Sequence, residues 1–178
     1  MTTKSSLVLY KTTTSGLLLA IAMLLPFLTG QIPTFGNMLL PMHIPVILCG
    51  FVCGAPYGAA VGFLAPLMRS FIFGAPLLFP SAVTMAFELC AYGLVSGILY
   101  SVFPKKIGYT YLSLVIAMIV GRGVLGIASV VVYRLMGSVF SASMFLGSAL
   151  TNAIPGIVLQ LVFIPILVKL SHQIIKFK

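Results

Sequence analysis

Glu88 is the only acidic residue in a chain of 178, and it stands inside an apolar run, MAFELCAYG, at residues 85–93. The groups that such a carboxylate can work with are few. Arg122 lies between Gly121 and Gly123, Arg69 follows the run GFLAPLM, and Asn37, His43 and Asn152 sit in or beside other apolar stretches. With one carboxylate, two histidines and no Asp, no Ser/His/Asp set can be assembled. No G-x-x-x-x-G-K-[ST] loop is present for ATP phosphates, and no H-E-x-x-H for a catalytic metal. Cys49 and Cys53 share a helix face but have no His or Asp beside them, so they and Cys90 read as small buried residues. The chain is therefore expected to bind a polar ligand and not to transform one, without metal or cofactor. Driving that ligand uphill would take a partner.

The elements that must position these residues are apolar. Only 6% of the residues are charged, against roughly a quarter in an ordinary soluble domain, so the chain reads as a single membrane-embedded domain over residues 1–178. Its apolar segments have helical lengths, near the ~20 residues that cross the hydrocarbon layer, and lack the alternation of a transmembrane barrel. Six helices are expected, at about Leu7–Leu28, Leu39–Gly54, Gly58–Ser70, Ser81–Phe103, Tyr111–Met136 and Phe145–Leu170. The first is read as a retained helix and not a signal peptide, because no small-x-small cleavage site leads into a polar mature chain. Pro41, Pro45, Pro56 and the run FIFGAPLLFP at 71–80 break the pattern. Phe35-Gly36-x-x-Leu39-Leu40 recurs as Phe73-Gly74-x-x-Leu77-Leu78, which suggests two similar caps over one side of the bundle.

The formal charge of +9 does not point to nucleic acid. The basic residues form small clusters between apolar spans, the pattern of topology signals and lipid-headgroup contacts. Six spans with both termini in the cytoplasm put all seven lysines (Lys4, Lys11, Lys105, Lys106, Lys169, Lys176 and Lys178) on that side. Glu88 then lies roughly 10 Å below the outer surface at about 1.5 Å per residue. Arg122 lies near mid-membrane, Asn152 two turns down the last span, and Asn37, His43, Arg69 and Arg134 near the outer ends. This segregation describes a polar pocket opening outward under broken loops.

Each group also has a plainer use. Glu88 and Arg122 can be a buried ion pair joining two helices, since a charge in lipid needs a partner. Arg69 and Arg134 can reach headgroups, His43 can be an interfacial histidine, and Asn152 can bond a neighbouring helix. In the first helix, Gly16 and Ala20 form a small-xxx-small pair that Ala22 extends, suited either to internal packing or to docking against another membrane subunit.

The length, the six helices with inside termini, the small-xxx-small first helix and the broken outer cap resemble the substrate-binding S component of the energy-coupling factor (ECF) vitamin transporters. The runs LLPMHIPVILCGFVCGAPYG, FLAPLMRS, FGAPLLFP and MAFELCAYG are similar to the subgroup assigned to pantothenate. The resemblance implies a multi-pass protein of a bacterial cell membrane that captures a vitamin from outside and tips to release it. Its implied partners are the bilayer, a transmembrane coupling protein and two cytoplasmic ATPase subunits. Gly16, Ala20 and Ala22 match the family's coupling-protein contact, with Gly where the usual Ala-x-x-x-Ala has Ala. Asn37, Arg69, Glu88, Arg122 and Asn152 match its pocket. Arg122 or Arg69 could hold a carboxylate bidentately, with Glu88, Asn37 and Asn152 on hydroxyl or amide groups. The alternatives are a pyridoxine or hydroxymethylpyrimidine ligand held by Glu88, a stand-alone secondary transporter built on inverted repeats, or a structural scaffold.

Overall fold

The computed structural model describes residues 4–28, 39–147 and 153–176, the side chains of 142 and 172–176 excepted. Among these residues every regular element is helical. In chain order they are α1 (Lys4–Leu28), α2 (His43–Cys53), α3 (Ala55–Phe73), α4 (Val83–Val102), α5 (Ile107–Leu135), α6 (Ala142–Leu146) and α7 (Ile154–Lys176), with a π-helical turn, Leu78–Ala82, leading into α4. Four of them are long and apolar enough to cross a membrane: α1, α4 with its leading turn, α5 and α7 to Ser171. The 11 residues of α2 are too few to cross alone.

The breaks differ in detail from those suggested by Pro and Gly. Pro56 and Tyr57, expected to be a connection, belong to the first turn of α3. Proline fits there because its missing N–H would have no partner anyway and its fixed φ suits a helix. The joint between α2 and α3 is instead the single residue Gly54, at φ 98°, a value that a side chain would strain. Gly74 ends α3 in the left-handed region, its N–H returning to the Ser70 carbonyl. Where one helix was expected over Phe145–Leu170, α6 and α7 are described separately, and residues 148–152 lie outside the described part. The first copy of the Phe-Gly-x-x-Leu-Leu repeat also lies mostly outside it.

Large apolar side chains cover the outside: Leu17, Phe71, Ile119 and Ile127 are each more than half exposed. An exterior of this kind suits lipid and not water. In lipid, helices gain nothing by hiding leucines from one another, so association depends on close packing and polar contacts. Here close packing comes from a glycine seam. Gly50 of α2, Gly58 and Gly62 of α3, and Gly93 and Gly97 of α4 bring three backbones together. A Cβ built on Gly58 would stand 2.6 Å from the Gly93 carbonyl oxygen, and one on Gly93 would overlap the Gly58 carbonyl. Among the described residues the α3–α4 pair is the most extensive, and α4 also packs against α2 and α5. Helix α1 lies on α2 and α3, and α7 lies on α2 and α5. Helix α4 is thus the central element, and Glu88 is on it.

Gly93→Ala should lower stability by about 1–3 kcal/mol, the usual cost of forcing extra volume into a close-packed site. Gly16→Ala should not, since a Cβ there meets nothing within 4 Å. Thermal unfolding of the two detergent-purified variants checks the contrast, and equal stability would remove the seam's role.

Candidate functional site

The buried polar groups fall into two sets. Hydroxyls are satisfied by their own helices: Ser113 Oγ donates to the Tyr109 carbonyl at 2.8 Å, Thr84 Oγ1 to Pro80 at 3.0 Å and Ser96 Oγ to Gly93 at 3.2 Å. Back-bonding of this kind needs no outside partner. The second set is not satisfied. His43 Nδ1 and Nε2, Arg69 Nη1, Arg122 Nε and Nη2, and Gln160 Nε2 are buried without a hydrogen-bond partner among the described residues. Most buried polar atoms in proteins do have one, so unmet hydrogen-bonding capacity is concentrated in this set.

Glu88 stands between two residues of this set, His43 and Arg122. The carboxylate is 2% exposed and accepts a hydrogen bond from Arg122 Nη1 at 2.8 Å. His43 Nε2 stands 3.6 Å from the same oxygen, Oε1. Helix α4 therefore presents Glu88 between α2, which carries His43, and α5, which carries Arg122. One turn further along α4, Tyr92 is fully buried and close enough to feel the charges of both Glu88 and Arg122. Its ring makes a T-shaped contact with His43, centroids 5.2 Å apart. Gly121 makes room for that ring, since a Cβ there would come 2.9 Å from Tyr92 Cε2.

The structure thus pairs two of the expected residues, Glu88 and Arg122, and pairing leaves Arg122 with unused capacity. Two of its donors remain buried and unpartnered. Arg69 is held elsewhere: its guanidinium carbon lies 4.8 Å from the Phe27 ring centroid and 5.9 Å from that of Phe73, a cation–π clamp between the ends of α1 and α3. Asn37 and Asn152 lie outside the described residues. His43 is buried inside the bundle, 1% exposed. Tyr92 and Gln160 were not among the expected residues, although each had a signal: Tyr92 is four residues from Glu88, and Gln160 is the one polar side chain between Ile154 and Lys169. Among the described residues no group of three His, Cys, Asp or Glu forms a metal site.

The small residues of α1 divide. Gly16 and Ala20 are exposed on one face, whereas Ala22 is completely buried in the core beside Leu18, Met42 and Val46. Only the first two are open to another protein.

A family model described as "ECF transporter, substrate-specific component" matches residues 11–168. Comparison with curated proteins gives no match, and neither does comparison with solved structures.

Removing one partner of the ion pair leaves the other buried and uncompensated, which costs about 3–5 kcal/mol. Arg122→Met should show a loss of that order in thermal unfolding. The double variant Glu88→Gln/Arg122→Met should lose much less than the two single variants added together. Additive losses would mean that the two residues do not interact.

Proposed function

Because the chain belongs to the family of ECF transporter substrate-specific components, we propose that this substrate-binding membrane subunit captures pantothenate, with the vitamin's carboxylate on Arg122. The family's members bind substrate, and ATP hydrolysis belongs to other subunits. The observation that carries the ligand class is the state of the Arg122 guanidinium. Nη1 is committed to Glu88, while Nε and Nη2 are buried and free of protein partners among the described residues. Those two nitrogens share one edge of the planar group, the edge that meets a carboxylate with two parallel hydrogen bonds. Glu88 holds the guanidinium in place from the other side. A hydroxyl or amide of the ligand then falls to Gln160, Asn37 and Asn152. Arg69, buried against Phe27 and Phe73, stays outside this contact.

In this reading α2 and α3 cross as a broken pair beside the four long helices, giving six passages with both termini in the cytoplasm. The seven lysines face inward, as the positive-inside pattern requires, and the Glu88 end of α4 faces out. Gly16 and Ala20 form the α1 surface for the transmembrane coupling protein, which joins the subunit to two cytoplasmic ATPases in a bacterial cell membrane.

Calorimetric titration of the detergent-purified protein should give one-to-one binding of pantothenate. Arg122→Lys keeps a charge beside Glu88 but lacks the two-nitrogen edge, and it should weaken binding at least tenfold, about 1.4 kcal/mol. Binding of pyridoxine or hydroxymethylpyrimidine in place of pantothenate would move the recognition chemistry to Glu88. For the partner surface, Ala20→Leu should leave vitamin affinity unchanged and abolish co-purification with the coupling protein. Retained co-purification would place the contact elsewhere.

A further inference from the structure

We propose that the ligand's carboxylate is bound together with one proton, taken up by His43. The inference rests on the carboxylate reading above and follows from charge balance. Before binding, Glu88 and Arg122 cancel and His43 can remain neutral. A ligand carboxylate on the free edge of Arg122 would leave the cluster with one net negative charge, walled by apolar helices. An uncompensated charge in that setting is strongly disfavoured, so the site must gain a positive charge or lose a negative one.

His43 is placed to supply it. Its Nε2 is 3.6 Å from Glu88 Oε1, and its ring is buried with both nitrogens lacking a hydrogen-bond partner among the described residues. A neutral imidazole has one donor nitrogen, whereas an imidazolium donates from both. The added proton lets Nε2–H face Glu88 as a second cation, while Arg122 turns its other edge to the ligand. One glutamate and one carboxylate ligand are then matched by one arginine and one histidinium.

The other charged groups around α2 are engaged elsewhere. From α4 it is faced by Glu88 and by Tyr92, whose ring contacts His43, and from α5 by Arg122. Arg69 of α3 lies on Phe27 and Phe73. On α1, Lys11 lies near Gly54, at the opposite end of α2 from His43. Cys49 and Cys53 are on α2 itself, about two and three turns beyond His43, and Lys169 of α7 is exposed. The proton could instead reside on the carboxylate, since Nε2 and Oε1 are 3.6 Å apart. A histidine substitution separates the two.

The test is calorimetric titration with pantothenate near pH 8, in buffers of differing ionisation enthalpy, where a free imidazole of ordinary pKa ~6.5 is almost wholly unprotonated. The expected uptake is about one proton per ligand, with affinity falling about tenfold per pH unit as pH rises, because the bound state holds more protons. Pantothenol, in which an alcohol replaces the carboxylate, should bind with no uptake. His43→Gln should bind pantothenate more weakly and also with no uptake. Wild-type binding that is independent of the buffer overturns the proposal, and so does undiminished uptake in His43→Gln, which puts the proton on Glu88. No binding of pantothenate at all overturns the ligand reading instead, and the proton coupling falls with it.

Discussion

One hydrogen-bonded ion pair governs the interior of this protein. Glu88 is the only carboxylate side chain available to compensate a buried cation, and Arg122 sits mid-helix in α5 with no other acid to meet. Neither can be left alone in a low-dielectric bundle without a large penalty, so α4 and α5 must lie side by side in one rotation. That constraint fixes which face of α4 turns to α2, and hence why His43 arrives at the same oxygen. It also explains the small residue next to the arginine: any side chain at Gly121 would displace Tyr92, which fills the space beside the pair.

Much of this was legible in the sequence because it follows from chemistry that tertiary structure cannot override. A lone acid among lipid-soluble residues has to find a cation, and Arg122 was the one at matching depth. The long helices α1, α4, α5 and α7 follow from uninterrupted apolar length. Other features depended on packing. His43 stands between Met42 and Ile44, a setting shared by surface and interior histidines, and only the placement of α2 against α4 buries it. Ala22 was grouped with Gly16 and Ala20 by residue size, but helical rotation of about 100° per residue carries it well away from the face that the other two share. Pro56 suggests a break, yet the first turn of a helix accepts it. Gly54, two residues earlier, carries the stronger signal.

The polar groups also divide by how they are satisfied, and that division does more than burial to identify a site. Ser96 and Ser113 are as buried as Glu88, yet they return their hydrogens to their own helices and ask nothing of a ligand. Arg122, His43 and Gln160 keep donors that their surroundings do not meet among the described residues. In a bundle whose helices are held by packing and by the Glu88–Arg122 pair, such unmet donors are costly to keep, which is the reason to connect them with binding.

The glycine seam has a mechanical consequence. Helices that touch backbone to backbone cannot slide past one another, because a shift of α3 by one residue would bring Tyr57 or Ala59 to the place of Gly58, against the Gly93 carbonyl. The seam thus admits one registry, and α2, α3 and α4 form a stiff plate that carries Glu88 and His43 together. Shear inside this plate is blocked. Any rearrangement of the bundle therefore has to move the plate as a unit, or displace the segments packed around it.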